Sequence, residues 1–153
     1  MKINFTYNAQ VKEGFDSRLP TATQDLASDS VDEIYGENVL EKVPDLVLFI
    51  DECYRILKKG AKAVFSSPHA FSSRAWISPL TKRCLSDGSL AFADKPWREL
   101  NKFSEANVLA DFQVDGQYAL AEEVLQRADP AKLFWLAKYN NVIQAILFTL
   151  TKR

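Results

Sequence analysis

Cysteine, histidine and glycine are scarce in this chain of 153 residues, which holds two cysteines, one histidine and five glycines. Two cysteines do not make a disulfide framework, and with a single histidine they do not make a metal cluster. No glycine-rich phosphate loop is visible either. We therefore expect no metal site, and we expect the reducing setting of the cytoplasm.

Long apolar runs and an excess of charge of one sign are also absent. No stretch approaches the roughly 18 apolar residues that a membrane span needs, and the first residues lack the apolar run of a signal peptide. Lys and Arg total 19 against 20 Asp and Glu, so no net field attracts a polyanion. The sequence predicts neither a membrane nor a nucleic acid as partner.

The apolar residues that are present suffice for one hydrophobic core. Hydrophobic residues make up 47% of the chain and aromatic residues 12%, which is too much apolar material for a disordered protein. The length is typical of one domain. Because no linker or repeat divides the sequence, we expect a single domain over residues 1–153.

A strand, a helix and a second strand follow one another between residues 31 and 66. Residues 31–35 read as a strand, and Pro44-Asp45 opens a helix whose apolar side chains recur every three or four residues. Gly60 is the expected stop of this helix, after two lysines in its last turn. Residues 61–66 form the next strand. This βαβ order predicts a parallel α/β sheet.

Weaker patterns cover the rest of the chain. Alternation predicts strands at residues 2–6, 112–120 and 142–151, and a very short one at 23–26. Helical spacing is found at residues 97–110, 121–128 and 131–139. Residues 70–96 keep no period, and long connections of this kind are usually lids or binding segments. If the final strand is exposed, it could pair with another subunit of a homo-oligomer.

Three segments carry a family resemblance: residues 29–35 (DSVDEIY), residues 39–41 (VLE), and residues 52–60 (ECYRILKKG). In this order they resemble the fourth strand, the following link and the next helix of the short, type-11-like class I S-adenosylmethionine (SAM) methyltransferases. The resemblance implies a Rossmann-like, seven-stranded, mostly parallel sheet with an antiparallel final strand and helices on both faces. Ligands of such sheets lie at the carboxyl ends of the strands.

The resemblance also implies SAM as cofactor and places it against eight residues that follow strands: Thr6, Tyr7, Asn8, Asp25, Leu26, Gly36, Glu37 and Asn38. Asp25 would accept a hydrogen bond from the adenine amino group, or it caps a turn instead. Glu37 either contacts a ligand or caps the next helical turn.

Two features depart from the family. Thr6-Tyr7-Asn8 stands where family members carry a glycine-rich loop, and the acidic residue expected after the second strand is not clearly present. Two functions follow as expectations: methyl transfer to a small molecule, or a catalytically inactive methyltransferase-fold module that binds a ligand or an unknown protein.

His69 and Trp76 are the candidate substrate residues. His69 follows a strand and could orient a substrate or act as a base near neutral pH, although a lone histidine is more often structural. Trp76 could line an apolar pocket or anchor the long connection to the core. No catalytic residue is assigned from the sequence.

Overall fold

One mixed sheet dominates the computed structural model, which describes residues 1–7 and 12–153. The strands within these residues are β1 (Lys2–Phe5), β2 (Asp16–Arg18), β3 (Val31–Glu37), β4 (Leu57–Pro68), β5 (Phe112–Leu120) and β6 (Ile143–Lys152). Their order is β2-β1-β3-β4-β6-β5. The pairings among β1 to β4 are parallel, whereas β6 is antiparallel to both of its neighbours. The predicted α/β sheet with an antiparallel final strand is confirmed.

The described residues form six strands where the resemblance implies seven. The missing strand is the short one predicted at residues 23–26, which is wrong. The Leu26 N–H donates to the Thr23 carbonyl at 2.9 Å and closes a turn. The Leu26 carbonyl accepts a hydrogen bond from the Arg55 guanidinium at 2.8 Å. The Leu26 backbone is therefore hydrogen-bonded within a turn and to a side chain, and not to a neighbouring strand.

Four α-helices accompany the sheet in the described residues: α1 (Leu46–Ile56), α2 (Lys95–Asn101), α3 (Glu122–Leu125) and α4 (Asp129–Lys138). Helix α1 begins as predicted, because Asp45 accepts a hydrogen bond from the Leu48 N–H at 3.0 Å and so caps the first turn. Its buried side chains recur every three or four residues: Phe49, Ile50, Cys53 and Ile56. In the described part of the chain every helix is too short or too polar to cross a lipid bilayer.

The predicted end of α1 at Gly60 is wrong. Leu57 pairs with Val31 of the neighbouring strand and opens β4 four residues earlier than the sequence pattern suggests. The β3–β4 register shifts between Val31 and Glu33, so residues 58–61 form a bulge in which Gly60 has a φ of 78°. Glycine is used there for its left-handed backbone, but inside a strand.

The helices predicted at residues 97–110 and 121–128 are both shorter in the structure. Helix α2 ends at Asn101, because Lys102 adopts a left-handed φ of 52°. The Arg98 guanidinium then donates to the carbonyls of Phe92 at 2.5 Å and Ala110 at 2.9 Å, which holds the following segment against the core without helical bonds. Helix α3 is a single turn.

The core is centred on a row of residues in register across the sheet: Phe5, Gly36, Phe65 and Phe148. Phe49 of α1 packs edge-on against Phe5, with ring centroids 5.3 Å apart, and against Phe65 at 5.6 Å. These contacts fix α1 on one face of the sheet. The parallel pairing of β1, β3 and β4 brings their carboxyl ends to one edge.

The final strand is not exposed, which corrects the expectation that it could pair with another subunit. Strand β6 lies between β4 and β5 and is hydrogen-bonded on both sides. The strands at the two ends of the sheet order are β2 and β5.

Ion pairs concentrate at the edge of the sheet where β1, β3, β4 and β5 begin and β6 ends. They are Met1–Asp32, Lys2–Glu33, Lys58–Asp32, Lys152–Asp29 and Arg153–Asp111. The Lys152 ammonium is 10% exposed and also donates to the carbonyls of Tyr54 and Leu57, at 2.7 and 2.8 Å. It therefore joins the end of α1 to the start of β4.

Gly36→Ala should destabilise the fold by about 1–3 kcal/mol, because it overpacks a closed core. A Cβ on Gly36 would lie 2.8 Å from Phe65 Cδ1, and Phe65 is wholly buried. The matched control is Gly116→Ala in β5, whose Cβ would meet Ile146 Cδ1 at an ordinary 3.7 Å. Urea unfolding of both variants checks this. Equal losses would show that the Phe65 contact is not the cause.

Candidate functional site

The carboxyl ends of β1 and β3 form the point at which the strand order of the sheet reverses. From β1 the chain goes to β2 on one side, and the later parallel strands lie on the other side. In open parallel sheets the crevice at such a reversal is where ligands bind. Thr6 and Tyr7 follow β1 at this point, while Gly36, Glu37 and Asn38 end or follow β3.

A pocket of about 370 Å³ opens at this edge, between the ends of β3 and β4 and the segment after β4. We call it the edge pocket. Glu37, Asn38, Glu41, Ser67, Arg74 and Ile77 are among the residues that line it. The lining contains acidic, basic, hydroxyl and apolar groups, so it suits a small polar ligand better than a purely apolar one.

Glu41 is a buried acid on the wall of the edge pocket. Its residue is 4% exposed, and one carboxylate oxygen accepts a hydrogen bond from the Ser67 hydroxyl at 3.0 Å. The Lys42 ammonium lies 3.9 Å from the other oxygen. Burial raises the pKa of Glu41, and the hydrogen bonds and nearby cations oppose that rise only in part. Such a group can take up a proton closer to neutral pH than an exposed glutamate.

Arg83 fastens the long connection next to the edge pocket to the link that follows β3. Its guanidinium donates to the carbonyls of Leu40 at 2.9 Å, Val43 at 2.6 Å and Pro44 at 3.0 Å. The Glu41 carbonyl accepts from the Lys82 and Arg83 N–H groups at 2.8 and 3.3 Å. We refer to these bonds as the Arg83 clamp. They hold the connection against the link that follows β3.

Tyr7 lies within the electrostatic reach of the same charges. Its residue is 37% exposed, and partial burial raises the pKa of its hydroxyl. The positive charge of Arg83 lowers that pKa and the negative charge of Glu41 raises it. Thr6 beside it is buried, and its N–H donates to the Arg18 carbonyl at 3.0 Å. Asn8, the third residue predicted here, lies outside the described residues.

Asp25 is held by a cation from β2. The Arg18 guanidinium donates to Asp25 at 2.6 Å, and this hydrogen bond is the main reason that the pKa of Asp25 is lowered. Arg18 therefore stands near the end of β2, where the resemblance implies an acid. Leu26 is buried against the core. A second pocket of about 470 Å³ lies beside this loop, and Thr23, Gln24 and Glu52 are among its lining residues.

The three predicted residues at the end of β3 have different surroundings. Gly36 faces the Phe65 ring and has no room for a side chain, so only its backbone is available. Asn38 adopts a left-handed φ of 54°, and its N–H donates to the Ser66 carbonyl at 2.8 Å. Glu37 and Asn38 both line the edge pocket.

The structure does not bring His69 or Trp76 into the edge pocket. His69 is 2% exposed; its Nδ1 accepts from the Phe71 N–H at 3.2 Å, and its ring contacts those of Phe71 and Tyr118. Trp76 is 72% exposed and borders other surface pockets. No group of three or more potential ligand residues in the described ranges is placed to hold a metal ion.

Sequence reasoning missed Glu41 and Arg83 as parts of the site. Glu41 served there only to support the family resemblance, and no role was assigned there to Arg83. No local signal singles out Glu41, because it is followed by Lys42 and glutamates are mostly exposed. The Arg83 partners lie about 40 residues away in the chain, and no local pattern identifies them.

Comparisons with known proteins agree on the fold. The family model described as a methyltransferase domain matches residues 5–65. A SAM-dependent methyltransferase from Archaeoglobus fulgidus is 16% identical, with a TM-score of 0.60, over 91% of this chain and 68% of that one. One from Mesorhizobium loti is 14% identical, with a TM-score of 0.53, over 90% and 69%.

A further structure with this fold is that of the [4+2]-cyclase SpnF. It is 15% identical, with a TM-score of 0.53, over 90% of this chain and 56% of that one. No curated protein sequence matches the chain. At such low identities the similarity is one of fold, and the chemistry has to be argued from the site.

Acidification should destabilise the protein through His69. Burial lowers the pKa of His69 below its usual 6.5, so the unfolded chain takes up the proton first as the pH falls. The free energy of unfolding should therefore drop from about pH 6.5 down to the folded-state pKa. His69→Gln should show a smaller drop, measured by urea unfolding at a series of pH values. Identical pH profiles of the two proteins would contradict this, since the chain has one histidine.

Proposed function

Because the chain has the class I SAM-dependent methyltransferase fold, and its residues 5–65 match the methyltransferase domain family, we propose that it binds SAM at the carboxyl edge of β1 and β3. The methyl group is transferred there to a small polar acceptor held in the edge pocket. Glu41 carries the proposal, as a buried acid on the wall of a pocket at the ligand-binding edge of this fold.

The polar groups at this edge fit the charges of SAM. The cofactor carries a sulfonium, an ammonium, a carboxylate and an amino group on adenine. Glu37 and Asp25 offer acceptors for the cationic and amino groups, and Tyr7 offers a hydroxyl for the carboxylate. Among the described residues, the ribose hydroxyls have no acidic partner. Arg18 stands where the resemblance implies that acid, and it is paired with Asp25. Tyr7, Asp25, Glu37 and Asn38 are the residues that would hold the cofactor.

Bound SAM supplies an electrophilic methyl group, so the protein has to align an acceptor and remove its proton. Glu41 takes the proton from a hydroxyl or amino group of the acceptor. The raised pKa of Glu41 matches this task. The Ser67 hydroxyl donates to one carboxylate oxygen of Glu41, and the other oxygen faces Lys42. The Arg83 clamp keeps the wall that carries Glu41 in place.

A second candidate function is a catalytically inactive module that keeps the fold for binding. The observation in its favour is Tyr7, which brings an aromatic side chain, within the fields of Arg83 and Glu41, to the position where family members have a glycine-rich loop. This bulk would narrow the space for the methionine part of SAM. Methyl transfer is also not the only chemistry of this fold, as the cyclase among the structural neighbours illustrates.

Calorimetry and thermal shift with SAM and S-adenosylhomocysteine test the two functions. The first predicts saturable binding to the wild-type chain with a Kd below about 100 μM and a higher melting temperature. If Tyr7 narrows the site, Tyr7→Gly should bind more tightly, whereas Leu109→Ala, an exposed residue bonded near α1, should bind like the wild type. Binding by Tyr7→Gly alone would favour the inactive module. If the wild type, Tyr7→Gly and Leu109→Ala all fail to bind SAM, the proposal that SAM is the cofactor is refuted.

Glu41→Gln should slow methyl transfer by about 10²-fold or more while leaving the SAM affinity unchanged, because it removes the proton acceptor and keeps the shape. The readout is S-adenosylhomocysteine release with a panel of small hydroxyl- and amino-bearing acceptors. The wild-type rate should rise with pH through the raised pKa of Glu41, and the variant should lack that rise. Glu99→Gln, an exposed acid of α2, is the control, and an equal loss there would remove the case for Glu41.

A further inference from the structure

An apolar surface is exposed on the connection between β4 and α2. It consists of Phe71, Trp76, Ile77 and Leu80, which are exposed by 63, 72, 76 and 59%. We call it the 71–80 patch. Clustered apolar side chains at this level of exposure mark an interaction site more often than isolated ones do.

The backbone under the patch is fixed and presents these side chains to the outside. Ser72 and Ala75 between them are buried, at 1 and 3% exposed. The Ser73 N–H donates to the Asn141 side chain at 2.6 Å, and the Asn141 N–H donates to the Phe71 carbonyl at 2.8 Å. The Arg83 clamp holds the other end of the segment. The exposure of the four side chains is therefore built into the fold.

The charges on the segment that carries the patch are of one sign. Residues 70–86 contain Arg74, Lys82 and Arg83 and no Asp or Glu. Arg83 is engaged in the clamp, whereas Arg74 and Lys82 are exposed. The acids that share the edge pocket with Arg74 are Glu37 and the buried Glu41. An apolar surface that contains a tryptophan and is bordered by free cations complements the interface of a bilayer with anionic headgroups.

We propose that the 71–80 patch docks the protein on the surface of an anionic lipid bilayer. Trp76, Ile77 and Leu80 enter the headgroup region, while Arg74 and Lys82 pair with lipid phosphates. The sequence analysis predicted no membrane partner because no apolar segment is long enough to span a bilayer. Docking on the bilayer surface does not need a spanning segment. The edge pocket is lined by Ile77 of the patch and by the neighbouring Arg74, so docking places its opening at the lipid surface. The proposal does not depend on SAM binding.

Co-sedimentation of the full chain with lipid vesicles tests the proposal without any cofactor. We expect binding to phosphatidylcholine vesicles that contain about one third phosphatidylglycerol, much weaker binding to pure phosphatidylcholine, and a decrease with added salt. The double substitution Ile77→Ala with Leu80→Ala should lower the bound fraction about tenfold, as should Arg74→Gln with Lys82→Gln. The matched control is Leu100→Ala with Leu109→Ala, two aliphatic residues exposed by 83 and 72% outside the patch.

A second measurement follows Trp76 itself. In a Trp97→Phe, Trp135→Phe background, the remaining tryptophan emission should shift to the blue on adding anionic vesicles, because the indole leaves water. Circular dichroism confirms that each variant is folded. No binding of the folded wild type to anionic vesicles, an equal loss in the control pair, or an unshifted Trp76 emission would each overturn the proposal. So would self-association that disappears in the Ile77→Ala, Leu80→Ala variant without vesicle binding, since the patch would then join two copies of the chain.

Discussion

The Arg83 clamp is the interaction on which the site depends. The link between β3 and α1 turns at Asn38 and ends at Pro44, so its carbonyls are not taken up by a strand or a helix. One guanidinium satisfies three of these carbonyls, and a charged donor makes such bonds stronger than neutral ones. The same bonds bring the long connection over the end of the sheet. The edge pocket, the position of Glu41 and the rigid base of the 71–80 patch all follow from this contact.

The parallel half of the fold could be predicted because its signals are local. Asp45 at the helix start, the three- and four-residue spacing of Phe49, Ile50, Cys53 and Ile56, and the alternating strands all lie within short windows of sequence. The end of α1 could not be predicted in the same way. Leu57 leaves the helix because Val31 pairs with it across the sheet, and pairing between distant residues overrides the local preference of lysines and a glycine for a helix end.

The candidate site, like the fold, could be predicted from the sequence only where its signals are local. Glu37 and Asn38 were predicted at the ligand edge because they directly follow a strand, and they lie there. Ser67, whose hydroxyl donates to Glu41, lies 26 residues further along the chain. Neither residue alone indicates the pair. His69 shows the converse case. It follows a strand as expected, but Phe71 and Tyr118 cover its ring, so its position in the sequence says little about its access to a ligand.

The bonds of Lys152 make the two ends of the sheet unequal. At the far end, which is the end opposite the edge pocket, the nearly buried Lys152 side chain and several ion pairs hold β1, β3, β4 and β6 together. At the near end, loops meet through a few side chains. Opening of the 70–86 segment would have to break the Arg83 clamp, but it would break none of the contacts that fasten the far end, and local opening costs less than unfolding. Loss of the clamp would therefore loosen the pocket side of the protein while the sheet itself stays assembled.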